Sequence, residues 1–128
     1  MKLQSEEGKA LHVLVVEDET VLNTLVCEAL REGGFDVTGV GDAHQAMHYL
    51  ERHAPRVSLL VTDVRMPGEL DGLELGYFVT QLWPHIPILT MSGDIGDSER
   101  HPVGPFLAKP FAIESLLCSA TRLIAKVH

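Results

Sequence analysis

Cysteine is scarce in this sequence: two among 128 residues, Cys27 and Cys118, far apart and each inside a helix-like pattern. That usage argues against a disulfide framework or a cysteine metal centre and predicts two reduced core thiols in a cytoplasmic protein. Long apolar runs are missing too. No stretch approaches the ~20 residues needed to span a bilayer, and the opening MKLQSEEGKA lacks the apolar segment of a secretory signal. Residues 1–10 read as a flexible leader, and no membrane partner is expected. Positive charge is also short, with 10 Lys and Arg against 18 Asp and Glu and a net charge of −8. Nucleic-acid phosphates and anionic lipid surfaces would on average be repelled, so no direct nucleic-acid contact or DNA-binding output module is expected. What is present, 45% hydrophobic and 22% charged residues, suits one soluble globular domain with its own core.

Short apolar runs alternate with helical patterns along the chain. Residues 11–16, 37–40, 57–62, 86–91 and 106–108 read as strands. Between them fall inward stripes of helical spacing: Leu22, Leu25, Val26, Ala29 and Leu30, then Ala43, Ala46, Met47 and Leu50, then Leu75, Phe78, Val79 and Leu82. A final helix carries Ile113, Leu116, Leu117, Ala120 and Ile124, leaving 127–128 as a tail. Gly33-Gly34 stops the first helix, Asp42 caps the second, Pro55 bars its continuation, and Pro84 ends the third. Parallel strands need crossovers, and the alternation therefore predicts an α/β fold: a doubly wound, five-stranded parallel sheet with helices on both faces.

In such a sheet, ligands bind beyond the carboxyl ends of the strands. The first strand runs straight into acids, in LVVEDE at residues 14–19, and the third ends at Asp63. Glu17, Asp18, Asp63, Ser92 and Lys109 each follow a strand, so the topology gathers them on one rim. Carboxylates a few ångströms apart repel by roughly 4 kcal/mol per close pair at an effective dielectric of about 20. A hard divalent cation, Mg²⁺ for preference with Mn²⁺ as an alternative, would offset that repulsion through oxygen ligands. Lys109 adds a permanent cation suited to a phosphoryl oxygen and Ser92 a hydroxyl donor, which together describe a phosphoryl-transfer site.

The segments VVEDE, VTDVRMPGELDGLEL, ILTMSGD and FLAKPF, in this order, resemble the receiver domain of two-component response regulators, the CheY-like family, over residues 11–126. The resemblance implies strand order 2-1-3-4-5 and a phosphoacceptor that is a regulator rather than an enzyme. Asp63 would accept the phosphoryl group, Asp18 would bind Mg²⁺ directly, Glu17 through water and Arg65 through its backbone carbonyl. Lys109 would pair with the phosphoryl group; Ser92 would turn its hydroxyl toward it, with Phe106 moving inward behind as a switch pair. A cis Lys109-Pro110 peptide is implied as well. Expected partners are a sensor histidine kinase or phosphotransfer protein and a downstream protein of unknown identity, with a homodimer as a further option.

Two departures accompany the match. Only sixteen residues separate Ser92 from Lys109, and GDIGDSERHPVGP among them holds three glycines and two prolines. A helix four that is short, distorted or missing is expected there. The pair Glu69-Leu70 also makes the loop after Pro67 one residue longer than in the shortest relatives, and Thr90 rivals Ser92 as the hydroxyl donor.

Plainer readings stand beside these. Glu19 is a solvated helix start, and the Asp97-Ser98-Glu99-Arg100 run a solvated loop. Trp83 covers the core at a helix end. His44 and His48 stand four apart on one helix face but lack a third ligand, His53 lying beyond the helix, so a solvated face is preferred to a metal site. Competing functions are an aspartyl-nucleophile phosphatase for small substrates and a flavin-binding module on the same fold. The phosphatase would need an acid where Arg65 stands; the flavin module would need a phosphate-cradling loop where the first strand ends in acids. The chain reads as a single-domain regulator or as a receiver from a hybrid kinase.

Overall fold

The structure, a computed structural model, describes residues 10–127; most of the expected leader and His128 of the expected tail lie outside the described residues. Five strands, β1 His12–Val16, β2 Asp36–Val40, β3 Val57–Asp63, β4 Ile88–Ser92 and β5 Phe106–Ala108, alternate with helices α1 Thr20–Glu32, α2 Ala43–His53, α3 Gly72–Leu82 and α4 Ile113–Val127. The strands pair in parallel in the order β2-β1-β3-β4-β5. This is the doubly wound sheet that the alternation predicts.

Both faces of the sheet are covered, which is why β1, β3 and β4 are buried at every position. Val13, Val15, Leu59, Val61, Leu89 and Met91 point to one face, against Val26 and Leu30 of α1 and Leu116, Ala120 and Ile124 of α4. Leu14, Val16, Leu60 and Ile88 point to the other, against Ala46 and Leu50 of α2 and Leu75 and Val79 of α3. Trp83 is half-buried against this second cluster, as a helix-end cover should be.

The helix ends follow local chemistry. Asp42 accepts from the Gln45 amide at the start of α2, and Asp71 and Glu74 form a reciprocal capping box at the start of α3. After α1, Gly34 adopts φ 101°, its amide donating to the Arg31 carbonyl and that of Phe35 to the Leu30 carbonyl, a closing pair that favours glycine. Past β4, a single 3-10 helix of six residues, Ile95–Arg100, stands where a short, distorted or missing fourth helix is expected. The glycines and prolines of that segment leave no room for regular turns.

Several inward stripes are rotated from their expected positions. In α3 the buried residues are Gly72, Leu73, Leu75, Gly76 and Val79, while Phe78 and Leu82 are 47% and 55% exposed. The two glycines let this face lie close on the sheet and turn the larger side chains outward. In α1, Asn23 and Cys27 face inward and Leu25 is exposed, because the Asn23 side chain is tied to the ends of β1 and β2. Ile113, at the first position of α4, is also exposed. Cys27 is buried as expected but Cys118 is exposed, since α4 buries Leu116 and Ala120 on either side of it instead. Val127, expected in a tail, ends α4.

Candidate functional site

The rim is built by strand ends. Glu17 and Asp18 follow β1, Asp63 ends β3, Ser92 ends β4, and Lys109 follows β5. Backbone bonds hold these ends in register: Glu17 N–H donates to Val40, Val64 N–H to Met91, and Lys109 N–H to Ser92, at 3.1, 2.9 and 2.8 Å. Carboxylate oxygens of Glu17, Asp18 and Asp63 all lie within 4.8 Å of one another, and among the described residues no other set of three His, Cys, Asp or Glu side chains gathers so. Glu17 and Asp63 are buried, whereas Asp18 is exposed.

Lys109 is the local counter-charge. Its ammonium donates to Glu17 Oε1 at 2.8 Å and to Asp63 Oδ2 at 2.9 Å. Burial works against that charge, yet the bonds to Glu17 and Asp63 prevail and hold the ammonium pKa above its ordinary value. The second Glu17 oxygen accepts from the Glu19 amide at 3.0 Å, so Glu19 contributes its backbone at the helix start. The bond of Asp63 to Lys109 uses Oδ2. Asp18 has its pKa raised, by desolvation and then by the hydrogen bond and charge of Glu17 beside it. One ammonium thus serves three acids, and the residual negative charge and oxygen-only donor set fit a hard divalent cation.

Close packing fixes the loop that carries Asp63. Gly72, the first residue of α3, donates its amide to the Val64 carbonyl at 2.8 Å, and a Cβ there would stand 1.8 Å from the Asp63 carbonyl oxygen. Asn23 does the same for Glu17, its side-chain amide donating to the Glu17 and Val40 carbonyls, each at 2.9 Å. Neither residue was picked out by sequence reasoning. An asparagine at an inward position of an apolar stripe was the available signal for Asn23.

The remaining candidates sit beside this cluster. Ser92 is 1% exposed and donates its hydroxyl to Asp97 Oδ2 at 2.6 Å, not to an acid of the rim. Thr90 pairs with Thr62, and Met91 with Asp63, so Ser92 is the hydroxyl just past the level of Asp63 and Thr90 lies deeper in the sheet. Phe106 opens β5 opposite Thr90 and is half-buried. The Arg65 side chain leaves the rim: its guanidinium donates twice to Asp97, at 3.2 and 3.0 Å, and once to Asp94, at 2.9 Å. The Lys109-Pro110 peptide is cis.

Asp97 corrects the reading of 97–100 as a solvated loop. It is fully buried, and burial alone would raise its pKa; hydrogen bonds from Arg65, Ser92 and Arg100 outweigh this and lower it. The arginines bring the counter-charge that lets a carboxylate turn inward. His44 and His48 are exposed, and the His53 ring packs tilted against Tyr49 with ring centroids 4.5 Å apart. They line an open cavity of about 560 Å³ with Val40, Gln45, Tyr49 and Arg52, separate from the carboxylate cluster.

A model of the response regulator receiver domain matches residues 13–121. The chain belongs to that family. Among curated relatives, the response regulator protein FleR of Pseudomonas aeruginosa is 34% identical over 113 residues, covering 84% of this chain and 23% of FleR, so the chain spans under a quarter of that relative. A response regulator receiver protein from Sinorhizobium medicae superposes with a TM-score of 0.84 at 27% identity, over 93% of this chain and 98% of its own. TrrA of Thermotoga maritima, solved in complex with Mg²⁺ and a beryllium fluoride, shares the fold with a TM-score of 0.80 at 21% identity, covering 88% of this chain and 97% of its own. The short 3-10 helix after β4 is therefore carried on an otherwise complete receiver fold. Among the described residues no helix is long and apolar enough to cross a membrane.

Proposed function

We propose that this receiver takes a phosphoryl group from a sensor histidine kinase or phosphotransfer protein onto Asp63, with Mg²⁺ or Mn²⁺ bound, and changes conformation to control a partner protein. The observation that carries the reading is the convergence of Glu17, Asp18 and Asp63 within 4.8 Å, with Lys109 bonded to two of them. The metal, when bound, neutralises charge developing on the phosphoryl oxygens. Asp18, exposed beside the cluster, is the direct carboxylate ligand together with Asp63. Glu17 has both oxygens engaged, by Lys109 and by the Glu19 amide, which favours its acting through water. The Arg65 backbone carbonyl completes the protein ligands.

In the transfer, Asp63 Oδ1 attacks phosphorus, an O–P bond forms, and the P–N bond of a phosphohistidine breaks with its electron pair returning to the imidazole. Lys109 leaves Asp63 Oδ2 for a phosphoryl oxygen as charge builds there. Ser92 donates its hydroxyl to another, and Phe106 moves inward behind it. Turnover is confined to loss of the protein's own phosphate, because the Arg65 side chain, held by Asp94 and Asp97, offers no acid to a leaving group. We further propose a cytoplasmic setting and output by protein contact, with a homodimer as one form of it.

The test is direct. Incubation with Mg²⁺ and acetyl phosphate should add one phosphate by intact mass, and Asp63→Asn should abolish it. Equal labelling of Asp63→Asn would remove Asp63 as the acceptor.

A further inference from the structure

A hydroxyl has a single proton to donate, and in this structure the proton of Ser92 is committed. It goes to Asp97 Oδ2 at 2.6 Å in preference to the Asp94 carbonyl at 3.4 Å, while Ser92 Oγ itself accepts from the Asp94 amide at 3.0 Å. If Ser92 serves a phosphoryl oxygen on Asp63, as the phosphoacceptor reading requires, it must first leave Asp97. We propose that Asp97 is a positioning residue that competes with the phosphorylated Asp63 for the Ser92 hydroxyl and so sets how readily the protein enters its phosphorylated conformation.

The surroundings of Asp97 suit a competitor better than a mere brace. It is fully buried in a six-residue 3-10 helix, where the chain lacks room for regular turns. Charge-assisted hydrogen bonds such as the one from Ser92 are roughly twice as strong as neutral ones, so the acceptor is a serious rival to an incoming phosphoryl oxygen. Release of Ser92 nevertheless leaves no bare buried charge. Asp97 Oδ2 keeps the Arg65 Nε bond at 3.2 Å, and Oδ1 keeps Arg65 at 3.0 Å and Arg100 at 3.3 Å. One bond is exchanged while three remain, which is the arrangement a reversible latch needs. Arg100 also reaches Asp71 at 2.7 Å, so the latch is tied to the N-terminus of α3.

Substitution at Asp97 should leave the two arginines solvated rather than stranded, since their side chains are 62% and 45% exposed. The test is a double-mutant cycle read by binding of beryllofluoride, a phosphoryl mimic, to the Mg²⁺-loaded protein and followed by fluorine NMR. Asp97→Ala, and Asp97→Asn should the first not fold by circular dichroism, are each made with Ser92, with Ser92→Thr and with Ser92→Ala. The expected result is about tenfold tighter binding on loss of the Asp97 charge when residue 92 has a hydroxyl, serine or threonine, and no change in the Ser92→Ala background. Unchanged or weaker binding in the serine background, or the same change in all three backgrounds, would overturn the competition and leave Asp97 a structural brace. Failure of the unsubstituted protein to bind beryllofluoride at all would instead overturn the phosphoacceptor reading, and the proposal with it.

Discussion

The Lys109 ammonium and the Asp63 carboxylate lie 2.9 Å apart although they stand 46 positions apart in the chain, because β3 and β5 end on the same rim with β4 between them. The same ammonium holds Glu17. Lys109→Met would remove the one cation bonded to this cluster among the described residues and leave two buried acids facing Asp18. Stability in metal-free buffer is expected to fall by roughly 3 kcal/mol, the scale for stranding a buried charge. Mg²⁺ should bind several-fold tighter because it no longer competes with a fixed positive charge, while labelling by acetyl phosphate should drop at least about tenfold. Denaturation with and without Mg²⁺, together with labelling rates, checks all three.

A cation that binds the folded rim and not the unfolded chain must stabilise the fold. At a Mg²⁺ concentration of about 100 times the dissociation constant the gain is about 2.7 kcal/mol. Thermal melts should therefore shift upward with Mg²⁺ and far less with Na⁺ at matched ionic strength. Asp18→Asn removes the exposed carboxylate of the cluster and should remove most of that shift. A shift of equal size in Asp18→Asn would mean that the ion sits elsewhere.

The chain advertises its rim and conceals its latch, for physical reasons. Glu17, Asp18, Asp63, Ser92 and Lys109 each interrupt or follow a run of apolar residues, and parallel strands carry such positions to one edge whatever the helices do. Asp97 has no such marker. It lies in Asp-Ser-Glu-Arg, a stretch with the polarity of solvent-facing loops, and only the folded positions of Arg65, Ser92 and Arg100 bring counter-charges around it. Helix faces differ from the sequence pattern for a related reason: a hydrophobic stripe gives no weight to Gly72, Gly76 or Asn23, yet these decide which side of α3 and α1 turns inward. Cys118 lies in an apolar helical pattern, which predicts burial, but on the exposed side of α4.

Gly72 offers a prediction about geometry alone. Its missing side chain lets α3 begin against the Asp63 carbonyl, where a methyl group would stand 1.8 Å from that oxygen and 2.9 Å from Thr62 Oγ1. Backbone must move to admit it. Gly72→Ala is expected to cost roughly 1–3 kcal/mol in urea unfolding, the scale of overpacking a tight site. Because the displaced backbone carries the acceptor, labelling of Asp63 should slow by more than the loss of stability explains. Gly68, with no atom within 4 Å of a Cβ built there, is the control for crowding: its φ of 105° makes alanine strained, but the strain stays in an exposed loop. Gly68→Ala should lower stability with labelling of the folded protein largely preserved.

Asp71 links acid sensitivity to the start of α3. Burial would raise its pKa, but hydrogen bonds from the Glu74 amide and from Arg100, with the charge of Arg100, bring it below the usual 3.8. A carboxylate with a depressed folded-state pKa binds protons more readily unfolded. The stability it contributes is present above pH 3.8 and disappears as the pH falls through the lower, folded-state value. Asp71→Asn retains a good N-cap and loses the charge, which both the Glu74 amide and Arg100 stabilise. The variant should be slightly less stable than the parent at neutral pH, a small difference because Arg100 is 45% exposed and the pair is screened by solvent. That difference should shrink as the pH falls below 3.8 and vanish once it has passed the lower, folded-state value, as measured by urea unfolding at a series of pH values. A gap that persisted in acid would assign the effect to side-chain geometry and not to the carboxylate charge.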